Sequence, residues 1–221
     1  QLQAADLERL FDELEMPLVA VLADMEEAGI AVDVARLAEI GRELEAGMAQ
    51  VQAEVYALAG REFNIGSPKQ LGEVLFGELG LPRGRRTSTG WSTSAEVLEE
   101  LASEHEVVAK VLQWREYAKL KSTYVDGLAR EVNRATGRVH TTFEQTVTAT
   151  GRLSSRNPNL QNIPVRTEWG RKIRGCFVAG GKDQVLLAAD YSQIELRVLA
   201  HVTGDPRLVE AFRAGEDIHA T

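Results

Sequence analysis

Asp190-Tyr191-Ser192-Gln193-Ile194-Glu195-Leu196-Arg197 is the run of this sequence whose side chains could do chemistry. It follows Val185-Leu186-Leu187-Ala188-Ala189, an apolar stretch that reads as a strand buried on at least one face, and it leads into a segment with helical spacing. A carboxylate delivered at the end of a rigid strand is placed to hold a hard cation such as Mg2+, which takes one or two carboxylates, phosphate oxygens and waters. The same Asp190, close to a helix N-terminus, would also stabilise the helix dipole with no metal involved. Ser192 and Glu195 fit the S-x-x-E capping box, in which each side chain satisfies an amide of the first turn. Residue types and spacing leave both accounts standing.

The elements upstream are mainly helical. Leu7 to Glu15 reads as helix, then Pro17 as the first position of a second helix with Leu18, Val21, Leu22 and Met25 at helical spacing, stopped by Gly29. From Asp33 a long amphipathic helix follows, with Val34, Leu37, Ile40, Leu44, Met48, Val51, Val55 and Leu58 three or four apart and Gly60 as its C-cap. Its other face, Glu39, Arg42, Glu43, Glu45 and Glu54, reads as solvated. Ser67-Pro68 is an N-cap with Pro behind it, predicting a short helix to about Leu79, and Pro82 to Ser92 reads as a loop. Ser94 caps another short helix, and a longer one spans about Glu104 to Val132, with Arg115, Lys119 and Ser122 along one stripe. From Thr136 to about Val147 the pattern is strand-like, as it is over Gly175 to Ala179 and Gln184 to Ala189.

Composition excludes several classes. The 221 residues are 44% apolar and 26% charged, as in an ordinary globular protein. The longest apolar run, Met16 to Ala23, is far shorter than the roughly 20 residues of a membrane-spanning helix. No signal peptide opens the chain. Cys176 is the one cysteine, so no internal disulfide forms, and a reducing compartment is the expectation. His105, His140, His201 and His219 show no ligand spacing, and no G-x-x-x-x-G-K-[ST] phosphate loop occurs. The formal charge of -8 argues against a polyanion partner, but it hides a split. Residues 1–60 carry a net -10, Lys110 to Gly175 a net +8, and the stretch from Gly181 turns acidic again.

The run from Asp190 to Arg197, continued by His201, Gly204-Asp205 and Asp217-Ile218-His219, resembles the first catalytic motif of family A DNA polymerases, the bacterial DNA polymerase I type. Thr150-Gly151-Arg152-Leu153-Ser154-Ser155 and Asn157-Pro158-Asn159-Leu160-Gln161-Asn162-Ile163-Pro164 resemble the family's segment along primer and template. Leu120-Lys121-Ser122-Thr123-Tyr124 resembles its thumb helix, and Phe63-Asn64 to Leu71 its other thumb contacts, so the similarity is colinear over essentially the whole chain.

The resemblance implies template-directed transfer of a nucleotide from dNTP to a primer 3'-hydroxyl, in replication and repair, by a monomeric, cytoplasmic, nucleoid-associated protein. Asp190 matches the metal-binding aspartate for two Mg2+ ions, with the Tyr191 backbone carbonyl as a further ligand. Tyr191, Gln193 and Glu195 would line the nucleotide pocket, Glu195 closing it beneath the sugar against a 2'-hydroxyl. Arg152, Gln161 and Asn162 offer donors for minor-groove acceptors shared by all base pairs, and Arg166 for a phosphate. Arg115, Lys119, Lys121 and Ser122 would contact duplex phosphates, with Asn64 and Ser67 as further DNA contacts.

The expected fold class is α+β: N-terminal helices over 1–32, a helical thumb over 33–132, and over 133–221 the first part of a palm with a small, mainly antiparallel sheet. We expect the chain to be a fragment, lacking the fingers and the second catalytic carboxylate and inactive in isolation, with no membrane partner. A non-catalytic duplex-DNA-binding module derived from a polymerase is the alternative. A single-subunit RNA polymerase is a third, against which Glu195 speaks.

Overall fold

The computed structural model of the chain describes residues 1–82, 86–87 and 90–215, in two compact units, Gln1–Gln184 and Val185–Thr221. The architecture is α+β, with long helices and short antiparallel strands. Asp217, Ile218 and His219 lie outside the described residues.

Two helices organise the first unit. Val34–Ala59 begins where the Asp33 carboxylate accepts from the Arg36 amide at 2.9 Å and ends at Gly60, whose φ of +74° suits glycine. Its 26 residues span about 39 Å. Beside it runs the helical stretch 106–131, α-helical over Glu106–Lys119 and Asp126–Glu131 and π-wound over Leu120–Val125. The two are antiparallel: Glu54 pairs with Lys110 (2.6 Å), and Glu45, earlier in the first helix, with Lys121 (3.0 Å), later in the second.

Each helix therefore serves two cores. Val51 and Val55, with Val107, Val108 and Val111, close over Ile65, Leu71, Val74, Leu75, Phe76 and Leu98. Leu37, Ile40 and Leu44, with Leu120, Tyr124, Val125 and Leu128, pack on Val139, Ile173 and Cys176. The predicted spacing of three and four is what keeps the two sets on one face of each helix.

Under the second core lies a four-stranded antiparallel sheet in the order Val132–Asn133, Arg138–Val139, Ile30–Val32, Phe177–Val178. Ile30 pairs with Val139, and Val32 with Phe177. Arg138 fastens the sheet to the Met16–Ala28 helix, donating from Nε to the Ala28 carbonyl (2.6 Å) and from Nη2 to that of Gly29 (3.0 Å). Thr142–Glu144 and Ser154–Arg156 form a second ribbon, with Phe143 opposite Ser155. Arg86–Thr87 and Gly90–Trp91 pair as a third, within the segment expected to be loop.

Three local expectations are corrected. Pro17 does not start a helix: winding is continuous over 8–28, with a π segment at Phe11–Glu15 just before the proline. The wider turn accommodates a residue with no amide to give and a ring that crowds the preceding turn. The strand expected over Gln184 to Ala189 does not form. A strand needs a neighbour for its amides and carbonyls, none of the described strands pairs with it, and Val185 and Leu187 stand 87% and 91% exposed. The Ser192–Glu195 capping box is not made either, because helix Ile194–Thr203 is preceded by Gln193, in the left-handed region at φ +52°, with no side-chain cap.

Candidate nucleic-acid interface and carboxylate site

The segment 151–164 is held by a buried hydroxyl cluster. Thr141 Oγ1 lies 2.6 Å from Ser155 Oγ, 2.8 Å from the Pro158 carbonyl and 3.0 Å from that of Arg156. The Leu160 amide donates to Ser155 Oγ at 3.1 Å. Each hydroxyl has one proton to give and two lone pairs to accept, so Leu160 to Ser155 to Thr141 to a carbonyl is one self-consistent chain of bonds. Gln161 adds a clamp: its Nε2 donates to the Leu153 carbonyl (2.9 Å) and its Oε1 accepts from the Ser155 amide (3.1 Å).

A cleft of about 540 Å³ lies where this segment meets the long helix, lined by Lys119, Thr123, Tyr124, Glu131, Asn159 and Asn162 among others. The Tyr124 hydroxyl donates to the Asn162 carbonyl at 2.5 Å. Ser122, exposed on the same stretch, has its hydroxyl 3.5 Å from the Lys119 carbonyl. Arg152 and Arg166 are exposed on the neighbouring segment. Arg152 ends a turn in which Thr148 Oγ1 donates to its carbonyl (2.5 Å).

A second cleft, about 570 Å³, is lined by Gly66, Lys69, Trp91, Ser92, Thr93 and Arg115 among others. Arg115 donates to the carbonyl of Thr93 and, at 3.1 Å, to its Oγ1. Half-burial of its guanidinium disfavours the charged form and lowers its pKa. Asn64 and Ser67 flank the lining residues Gly66 and Pro68 in sequence: Asn64 Oδ1 accepts from the Gly66 amide (2.9 Å), and Ser67 Oγ from that of Gln70 (3.5 Å).

Among the expected duplex contacts exposure and internal bonding overlap, since Asn64 and Gln161 are exposed as well as bonded and the carbonyls of Arg152 and Asn162 accept from Thr148 and Tyr124. Lys119, Ser122, Arg152, Asn162 and Arg166 are exposed. Arg115, Lys121, Gln161, Asn64 and Ser67 make bonds within the protein. Lys121 sits between Asp126 (2.9 Å) and Glu45 (3.0 Å), which together raise its pKa. Lys110 pairs with Glu54 and Lys172 with Glu43. The acidic helix face, expected to be merely solvated, therefore neutralises three lysines of the basic tract.

The second unit is a helical hairpin, Ile194–Thr203 and Pro206–Ala214, turned at Gly204 and capped by Asp205, whose carboxylate accepts from the amides of Arg207 (2.9 Å) and Leu208 (3.0 Å). Arg197 braces its entry: Nε donates to the Ser192 carbonyl at 2.8 Å, and the guanidinium lies 4.6 Å from the Phe212 ring centre. Asp190 and Tyr191 precede it in exposed, non-regular backbone. Among the described residues no three His, Cys, Asp or Glu side chains cluster as cation ligands. Asp190 and a neighbouring carbonyl are hard oxygen donors of the kind that suits a divalent cation, and they supply part of the donor set for a pair.

Sequence reasoning passed over Lys69, Trp91, Thr141 and Ser155. Lys69 follows the recognised Ser67-Pro68 cap and Trp91 is a lone aromatic in a polar stretch, so both carried a signal. A buried Thr–Ser pair 14 residues apart carries none. Cys176 is buried, which raises its thiol pKa, and His140 bonds the Glu26 carbonyl (2.9 Å) and Thr136 Oγ1 (3.1 Å).

A helical stalk over a small antiparallel sheet, with a polar cleft between the stalk and the segment 151–164, has its counterpart among known proteins. The sequence model of DNA polymerase family A matches residues 34–221, and the chain belongs to that family. It is 55% identical over 219 residues to DNA polymerase I of Geobacillus stearothermophilus, covering 99% of this chain and 25% of that one. DNA polymerase I of Bacillus subtilis is 52% identical with the same coverage, and the thermostable DNA polymerase I of Thermus aquaticus is 55% identical over 95% of this chain and 25% of its own. Among solved structures, the POL domain of Pol1 from M. smegmatis, in complex with DNA primer-template and dNTP, matches with a TM-score of 0.88 and 46% identity over 99% of this chain and 38% of that chain. The chain spans about a quarter of the length of these curated relatives.

Proposed function

We propose that this chain is the thumb and first part of the palm of a DNA-directed DNA polymerase, a nucleotidyltransferase that adds dNTP units to a primer 3'-hydroxyl on a template. The observation that carries the reading is the colinear family match over residues 34–221, which includes an intact Asp190–Arg197 run, supported by likeness to a polymerase domain bound to primer-template and dNTP. Residues 33–132 are the thumb in this reading and 133–221 the palm portion, with the helices over 1–32 at the base. The first unit's contribution is to hold duplex DNA. Lys119 and Arg166 neutralise phosphates, positioning the duplex without specifying its sequence, while Arg152 and Asn162 donate to minor-groove acceptors that all base pairs share. Arg115, Lys121, Gln161, Asn64 and Ser67 serve that surface by bracing it, and Ser122 borders it.

In the second unit, Asp190 would supply one carboxylate, and the Tyr191 carbonyl a further oxygen, to divalent cations whose hard-donor preference fits Mg2+. When bound, such cations would activate the primer hydroxyl and neutralise charge on the reacting phosphate. Tyr191, Gln193 and Glu195 belong to the nucleotide pocket, where one bulky side chain beneath the sugar excludes a 2'-hydroxyl. Because the described residues provide only part of the carboxylate set, we infer that these 221 residues do not extend a primer in isolation. The test is primer extension by the full-length protein with dNTP and with rNTP. Asp190→Ala should abolish incorporation and Glu195→Ala should admit rNTP; a full-length Asp190→Ala protein that still extends a primer contradicts the assignment.

A further inference from the structure

We propose that Tyr124 is a positioning residue for the Asn162 amide; the inference rests on the reading that the cleft beside Lys119 faces duplex DNA. Tyr124 is 9% exposed, and a phenol buried to that extent needs a partner for its hydroxyl. It has one in the Asn162 carbonyl, 2.5 Å away and 38 residues on in sequence. Asn162 closes the short turn Leu160–Asn162, whose start is fixed by Ser155 Oγ on the Leu160 amide (3.1 Å) and Asn159 Oδ1 on the Gln161 amide (3.0 Å). Tyr124 holds the other end.

The π-winding of Leu120–Val125 is what makes this reach possible. It turns Leu120, Tyr124 and Val125 inward together, a set that strict α spacing would spread further around the helix, while Lys119 stays on the cleft. Asn162 and Lys119 line the same cleft, so a buried hydroxyl fixes the peptide of an exposed residue that borders it. A hydrogen bond to a base edge tolerates only a few tenths of an ångström, from about 2.7 to 3.2 Å between heavy atoms. Release of the Asn162 carbonyl would let its peptide turn and take the side-chain amide out of that range.

The test measures binding of a primer-template duplex to the parent chain, Tyr124→Phe, Asn162→Ala, the double variant and Lys119→Ala. Tyr124→Phe should weaken binding roughly threefold to tenfold, as expected for one hydrogen bond. It should add nothing in the Asn162→Ala background. Equal weakening in both backgrounds, or no weakening, overturns the proposal. So does a Tyr124→Phe chain that has melted at the assay temperature, since the hydroxyl then serves the fold and not the amide. If Lys119→Ala weakens binding and Asn162→Ala does not, the interface stands and the proposal falls. If neither changes affinity, the interface reading itself is lost.

Discussion

Arg115 donates to both the carbonyl and the hydroxyl of Thr93, 22 residues earlier, and so ties the Glu106–Lys119 helix to the backbone leading into the Ala95–Ala102 helix. Thr93 is buried, so removing the guanidinium leaves buried acceptors unpaired. Arg115→Ala should lower unfolding stability by about 1–3 kcal/mol, seen as a reduced denaturant midpoint. The salt dependence of duplex binding should stay as steep as in the parent, because the guanidinium is turned inward. A shallower slope would instead make Arg115 a phosphate contact.

Thr141 anchors the segment bearing Asn159 and Asn162. Thr141→Val keeps the shape and removes the hydroxyl, taking from Ser155 Oγ its 2.6 Å partner and from the neighbouring carbonyls the one proton that Thr141 gives. The expected cost is about 1–3 kcal/mol in chemical denaturation, with faster amide exchange over residues 154–162. Thr141→Ser, which retains the oxygen, should recover most of both; a serine variant as impaired as valine would show that the methyl group matters and the hydroxyl does not.

Gly170 lies where the Glu168–Arg174 helix passes under Pro164, and a Cβ there would sit 2.6 Å from the Pro164 carbonyl oxygen. Backbone has to move to admit it. Gly170→Ala should therefore destabilise by about 1–3 kcal/mol despite alanine's better helix propensity. Gly77→Ala, with nothing within 4 Å of the added carbon, is the matched control and should cost little. Equal melting points for the two would remove the packing account.

The stalk carries a pH dependence of definite sign. Lys110, hydrogen-bonded to Glu54 with help from Gln50, holds the Glu54 carboxyl below its usual pKa. A depressed carboxylate stabilises the fold at pH above its unfolded value, and that stabilisation is lost as pH falls through the folded one. Lys110→Met should melt below the parent at about pH 7, and the gap should close on acidification towards about pH 3. A gap that persists in acid would assign the difference to packing of the lysine stem.

Much of the fold was legible because its determinants are local. Asp33, Gly60 and the Ser67-Pro68 pair mark their helix ends by chemistry contained within one turn. The π-windings were not legible, since the same periodic apolar residues accommodate an inserted residue with no change in composition. Nor was the fate of Val185 to Ala189, because a strand depends on a neighbour that sequence pattern does not name. At the candidate interface the partners of the named residues were not readable. Lys121 meets Glu45, and Gln161 meets Leu153 and Ser155, only after the chain has folded. The +8 of the basic tract accordingly overstates the charge left for a polyanion, with Lys110, Lys121 and Lys172 paired to the acidic helix.

The central claim, that the first unit holds duplex DNA through the surface around Lys119, is tested most directly by titrating a primer-template duplex into the chain across salt concentrations, with Lys119→Ala alongside. Binding should weaken steeply as salt rises, and Lys119→Ala should reduce the slope of log K against log [salt] by about 1, the signature of one lost phosphate contact. Binding that does not respond to salt, or an unchanged slope in Lys119→Ala, would contradict the account.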